Sequence, residues 1–189
     1  AHDPPRFLFV GRLMREKGVE ELFCAMRRLW TEGFHVHLQL LGFFEEQYRQ
    51  EVDLLVSGGM TEFYGFQKEP LPFYQNCDCV VLPSYHEGMS NVLLEAAAVG
   101  RPIIASDIPG CREAVEHSKT GLLCRAKDAN SLYVAMRAFL ALSAEQKAAL
   151  GQNGRRKMER EFDKASVVAE TLRIVTAEKA APQPRRVTA

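Results

Sequence analysis

The sequence predicts an α/β fold, a doubly wound Rossmann-like parallel sheet of about six strands with helices on both faces. Three observations predict it. Short apolar runs ending in glycine or proline alternate with segments of helical periodicity. The connecting segments are long enough for right-handed crossovers, which make the joined strands parallel. Several strand runs are apolar without a period of two, as in strands covered on both faces.

Phe7-Leu8-Phe9-Val10 is the first strand, ending at Gly11, and residues 18–31 then place Val19, Leu22, Phe23, Met26 and Leu29 at helical spacing. His35 to Leu41 reads as the second strand, ending at Gly42, with His35 and His37 alternating along it; a polar helix over about 45–56 follows. Glu62-Phe63-Tyr64 is a weak third strand ending at Gly65, and Pro70 to Asn76 is a short helix or turn. Cys79 to Leu82 is the fourth strand, stopped by Pro83. A helix over 90–98 follows, with Ser90 as its N-cap and Gly100 as its C-terminal stop. Ile103-Ile104-Ala105 is the fifth strand. Asp107 to Gly110 reads as a turn leading to a short helix to about Val115, and Gly121 to Cys124 is the sixth strand. Helices cover about 128–141, 144–160 and 164–178. Residues 1–5, with Asp3-Pro4-Pro5, read as a linker remnant, 6–178 as one domain, and 179–189 as a loose polar tail.

Lysine plus arginine equals aspartate plus glutamate at 24 each, so no overall basic field gathers nucleic acid or anionic lipid. No apolar run approaches the roughly 20 residues that span a bilayer. The five cysteines, Cys24, Cys77, Cys79, Cys111 and Cys124, are odd in number and include no Cys-x-x-Cys pair. They read as small buried hydrophobes rather than disulfides or a zinc site.

Ligands on such sheets bind beyond the carboxyl ends of the strands, near the switch in strand order. The loop after the first strand, Gly11-Arg12-Leu13-Met14-Arg15-Glu16-Lys17-Gly18, puts Arg12 and Lys17 just before a helix. Glycine at the strand end lets a ligand approach the backbone, and each close cation contributes up to about 4 kcal/mol to a bound diphosphate at an effective dielectric near 20. Read alone, the loop is equally a solvated basic turn. It carries no Gly-x-Gly-x-x-Gly, and no Walker A sequence occurs, so hydride transfer and P-loop phosphoryl transfer are poorly supported.

The loop after the fourth strand is more specific. Glu87 lies in the loop and Glu95 on the following helix, one turn beyond Asn91. Gly88, Met89 and Ser90 sit at the helix start, where free N–H groups and the helix dipole can hold an anion or sugar hydroxyls. Glu95 could accept both protons of a ribose diol, and Glu87 those of a bound sugar. By composition alone both are equally surface carboxylates.

Five pieces in order carry a resemblance: Phe9-Val10-Gly11-Arg12-Leu13 through Glu16-Lys17-Gly18; Val81-Leu82-Pro83-Ser84; Glu87-Gly88 through Leu94-Glu95-Ala96; Gly100-Arg101-Pro102-Ile103; and Gly121-Leu122-Leu123. Over about residues 6–125 the chain resembles the C-terminal, donor-binding domain of the GT-B glycosyltransferases, in particular the large retaining family 4 group. The resemblance implies that Gly11, Arg12 and Lys17 hold the donor diphosphate and that Glu95 holds the ribose. It implies that Glu87 contacts the donor hexose near the reacting carbon, with Gly88, Met89, Ser90 and Asn91 facing the sugar and phosphates. It places the nucleobase around Gly65 and Phe66. It implies no metal and no cofactor: the donor is a nucleoside-diphosphate sugar, and Glu87-Gly88-Met89-Ser90-Asn91 resembles members using UDP- rather than GDP-sugars. It implies an N-terminal acceptor domain, absent here, without which the chain transfers little or nothing. The acceptor would be a saccharide or a lipid-linked one, at the cytoplasmic face of the membrane. Two other readings stay open, a nucleotide-sugar-binding subunit of a two-chain transferase and a nucleotide-sugar epimerase. His86, beside Glu87, is a generic loop histidine or a donor contact. Arg155, Arg156, Lys157 and Arg160 form a basic stripe, a solvated helix face or a membrane or partner contact.

Overall fold

The computed structural model describes residues 2–163 together with Val168, Ala169, Leu172 and Arg173. The strands are β1 (Arg6–Val10), β2 (His37–Leu41), β3 (Thr61–Phe63), β4 (Cys79–Leu82), β5 (Ile103–Ser106) and β6 (Gly121–Cys124). The helices are α1 (Val19–Thr31), α2 (Arg49–Ser57), α3 (Leu71–Gln75), α4 (Asn91–Ala98), α5 (Pro109–Arg112), α6 (Ala129–Ala141) and α7 (Ala144–Glu161). Single 3-10 turns, Arg15–Lys17 and Glu46–Tyr48, lead into α1 and α2.

All six strands are parallel, in the order β3-β2-β1-β4-β5-β6. The order reverses between β1 and β4, which opens a crevice at their carboxyl ends. Right-handed crossovers carry α1 and α2 to one face and α4 and α5 to the other. α6 then returns to pack on α1, and α7 packs on α4. Burial of both faces explains the absence of alternation: Phe7, Leu8 and Phe9, and every residue of β4 and β5, are buried.

Local chemistry sets the ends of the elements. α4 stops in a Schellman motif, with Gly100 N–H donating to the Ala97 carbonyl and Arg101 N–H to that of Ala96. Gly100 takes the left-handed φ of 78° that this motif needs. α7 opens with a full capping box between Ser143 and Gln146. Ser90 occupies the N-cap position of α4, but its side chain makes no capping bond.

Three expectations need correction. β2 begins at His37, not His35, so the two histidines do not alternate along one strand; His35 packs edge-on against Trp30 instead. The turn expected at Asp107–Gly110 is shorter, because Pro109 is pre-set for a first helical position and α5 starts there. Cys24 is exposed on the outer side of α1, whereas the other four cysteines are buried free thiols. Most of the helix expected at 164–178 and the tail at 179–189 lie outside the described residues. His2 and Pro5 bond to the domain, His2 N–H donating to Asp78 Oδ1 and the Pro5 carbonyl accepting from His37 N–H.

Candidate functional site

The loops after β1 and β4 meet over the switch point, and their backbones require it. Gly18 takes a φ of 70°, and a Cβ there would lie 2.1 Å from the Pro83 carbonyl oxygen, so only glycine lets the start of α1 touch the end of β4. Tyr85 N–H donates to the Glu16 carbonyl at 2.8 Å and ties the two loops together.

This packing brings two of the sequence-predicted residues into contact. Lys17 Nζ donates to Glu87 Oε1 at 2.7 Å, with the Glu87 side chain only 11% exposed and that of Lys17 30%. The buried Ser84 hydroxyl donates to the same oxygen at 2.7 Å. Both donors take Oε1, and the carboxylate keeps Oε2 for a further donor. From below, α5 supports the loop: a Cβ on Gly110 would stand 1.7 Å from the Gly88 carbonyl oxygen and 2.4 Å from that of Glu87. Cys111 lies buried beside the pair, and burial pushes its thiol up to about 12.

Gly88, Met89 and Asn91 are exposed along the rim at the start of α4. The first N–H groups of that helix have no carbonyl inside it to bond. Glu95 lies one turn further on, exposed to solvent, with Oε2 accepting the Tyr74 hydroxyl at 2.9 Å. Arg12 is exposed and has no ion-pair partner among the described residues. Gly11 N–H donates to the Leu41 carbonyl and Gly42 N–H to that of Gly65, so the carboxyl edge runs continuously from β1 to β3. At its end Phe66 stacks on Phe43, ring centroids 5.2 Å apart and planes 6° apart, both rings more than half exposed. His86 is exposed.

Sequence reasoning gave Tyr74, Ser84 and Tyr85 no role. Ser84 carried a signal, three residues before Glu87 at a strand end. Tyr74 carried none, since its partner lies 21 residues away. Tyr85 reaches back to α1, its hydroxyl 2.8 and 2.9 Å from the Glu21 carboxylate oxygens.

Three of the four cations of the basic stripe are paired with carboxylates, and among the described residues Arg156 reaches only the Asn153 amide oxygen. Arg155 pairs with Glu159, Lys157 with Glu116 and Glu161, and Arg160 with Glu161. A cavity of about 460 Å³, lined by Glu116, Lys119, Asn153, Arg156, Lys157 and Arg160, lies away from the β1–β4 crevice. Among the described residues no group of three His, Cys, Asp or Glu comes together as a metal site, and no helix is long and apolar enough to cross a membrane.

Comparison with known proteins places this architecture. Glycogen synthase from Mycobacterium tuberculosis H37Rv is 33% identical over 196 residues, covering 96% of this chain and 45% of that protein. The structure of sucrose-phosphate synthase from Thermosynechococcus elongatus superposes with a TM-score of 0.81 at 31% identity, over 94% of this chain and 46% of that one. Anabaena Alr3699/HepE in complex with UDP-glucose shares the fold, with a TM-score of 0.78 at 23% identity over 91% of this chain and 48% of its own. The chain thus spans about half the length of the relatives it matches. The family model described as glycosyl transferases group 1 matches residues 1–157, which include every strand and all of the crevice. On that match, and on a GT-B type of sheet shared with these transferases, the chain belongs to the glycosyl transferases group 1 family.

Proposed function

We propose that this chain is the donor-binding half of a retaining glycosyltransferase that moves a hexose from a nucleoside-diphosphate sugar to a saccharide or lipid-linked acceptor. The observation that carries the reading is the 2.7 Å contact of Lys17 with Glu87, which joins a cation of the first loop to a carboxylate of the fourth across the switch point. Arg12 and Lys17 take the diphosphate, supported by the N–H groups at the start of α4. Glu95 takes the ribose hydroxyls. Strands lie about 4.8 Å apart, so the Gly65–Phe66 corner stands about 10 Å from the end of β1. That separation suits a base held at one end of the edge and phosphates at the other. Support also comes from the Anabaena protein of the same fold, which was crystallised with UDP-glucose.

Cleavage of the anomeric C–O bond leaves positive charge on the sugar and negative charge on the departing diphosphate. Lys17, held in the crevice by Glu87, and the N–H groups at the start of α4 face the departing diphosphate and with Arg12 stabilise it, which lowers the barrier. No metal is needed for that neutralisation. Glu87, with Oε2 unused, orients sugar hydroxyls and stabilises the cationic centre rather than removing a proton. The acceptor arrives on the face the diphosphate leaves, which retains configuration, and it is held by a second domain.

Calorimetry of the chain against UDP, GDP, ADP and their sugars tests the reading. Binding of one nucleoside diphosphate, weakened at least about tenfold in Arg12→Ala and in Lys17→Ala, is expected. Failure of every nucleoside diphosphate to bind at millimolar concentration would overturn it.

A further inference from the structure

Glu95 stands on an exposed helix face, where a glutamate ordinarily samples many rotamers and loses binding free energy when a ligand stops it. Here one of its oxygens is already engaged. The Tyr74 hydroxyl donates to Glu95 Oε2 at 2.9 Å. Tyr74 comes from α3, the short helix in the crossover from β3 to β4, and is only 1% exposed. Its ring is locked in the core while its single polar atom reaches the surface at Glu95. Burial, followed by the neighbouring Glu95 charge, raises the Tyr74 phenol well above its ordinary range, so the hydroxyl keeps its proton and remains a donor. Proline immediately precedes α3 and also lies at its second position, which fixes the backbone that delivers the ring.

We propose that Tyr74 is a positioning residue for the donor: it holds the Glu95 carboxylate so that Oε1 faces the ribose diol before the nucleotide arrives. The proposal rests on the ribose role given to Glu95 above and adds the residue that pre-organises it. Tyr74 itself touches no substrate. With one oxygen held, the carboxylate turns as a unit about a fixed point, and its other oxygen and remaining lone pairs are aimed outward. Pre-organisation of this kind raises affinity by removing the cost of ordering one long side chain, about two- to tenfold.

The test is the preference of the chain for UDP over 2′,3′-dideoxy-UDP, measured by calorimetry, with the corresponding guanine pair alongside. Wild type should favour the intact ribose by about tenfold or more. Tyr74→Phe removes one oxygen and keeps the buried ring. It should lower the preference by about three- to tenfold while leaving the affinity for dideoxy-UDP within about twofold of wild type. In a Glu95→Ala background, where the preference is already lost, adding Y74F should change nothing. A purely structural role for Tyr74 would instead weaken both nucleotides in both backgrounds, and that result would overturn the proposal. A wild-type preference that survives Y74F unchanged would overturn it alone. Equal affinity of wild type for both nucleotides would remove the ribose reading and this proposal together. Should Y74F not fold, as read by a thermal melt, Glu95→Gln gives the same answer from the other partner. Glutamine held by the Tyr74 hydroxyl through its carbonyl oxygen turns its NH2, which cannot accept, towards the diol, so the preference of E95Q should fall towards that of E95A. A preference equal to that of wild type, which needs the amide oxygen free to turn to the diol, counts against Tyr74.

Discussion

Replacing Lys17 by methionine removes the cation that faces Glu87 and keeps the length of the side chain. At 2.7 Å and an effective dielectric near 20, the Coulomb attraction is about 6 kcal/mol before any cost of desolvation. The pair is neither free in water nor deeply buried, with exposures of 30% and 11%. Its net worth therefore falls between the 0–1 kcal/mol typical of surface pairs and the 3–5 kcal/mol lost when one partner of a buried pair is removed, at about 1–2 kcal/mol. Glu87→Gln should cost less, because the Ser84 hydroxyl can still donate to the amide oxygen and Lys17 can turn to solvent. A double-mutant cycle of wild type, K17M, E87Q and the double variant, read by urea denaturation at pH 7, should give a coupling of about 1–2 kcal/mol, with the double variant close to E87Q. The same four proteins test the proposed diphosphate role. K17M should weaken UDP by at least about tenfold, whereas E87Q should bind UDP as tightly as wild type or several-fold tighter, since Lys17 loses its competing carboxylate. A coupling below about 0.3 kcal/mol would refute the contact between the first and fourth loops. A large loss of UDP affinity in E87Q would refute the division of labour between the two side chains.

Gly110→Ala places a methyl group 1.7 Å from the Gly88 carbonyl oxygen in a helix whose backbone accepts alanine, so the cost is steric alone. It should destabilise the chain by about 1–3 kcal/mol in urea and weaken the Lys17–Glu87 coupling as the loop is pushed away. Full stability would mean that α5 does not support the loop. In alkali, burial holds the Cys77, Cys111 and Cys124 thiols at about 12 against an ordinary 9.0, and raises that of Cys79 well above it. Between pH 9 and 12 the unfolded chain releases these protons while the folded chain keeps them. Stability is therefore complete below pH 9 and falls as pH rises towards 12, each thiol contributing a slope of up to about 1.4 kcal/mol per pH unit. Urea midpoints at pH 8, 9.5 and 11 measure the fall, and removal of the thiols by Cys→Ala substitution should flatten it. A thiol reagent at pH 8 should label one cysteine, Cys24, in the folded chain and all five in urea; rapid labelling of a second would contradict the burial of the other four.

Much of this molecule was determined by sequence alone. The unalternated apolar runs Phe7–Val10 and Cys79–Leu82 announced strands covered on both faces. The spacing of Val19, Leu22, Phe23, Met26 and Leu29 announced the inner face of α1, all five residues being buried. Gly100 announced the end of α4. These features are local, because periodicity and turn chemistry act over one or two turns of chain. Lys17 and Glu87 were each visible as candidates in their loops. Their contact spans 70 residues, and only the strand order β3-β2-β1-β4-β5-β6 brings them together, by setting β4 beside β1. The same holds for Tyr74. In sequence it is one aromatic residue of a short helix, and its hydroxyl gains a partner only when the crossover from β3 to β4 brings Tyr74 within reach of Glu95 on α4. The start of β2 at His37 also waited for tertiary structure, since a strand begins where a neighbour can pair with it. Periodicity fixes which face of an element is buried, but pairing between strands decides which loops share an edge, and the crevice exists only at that edge.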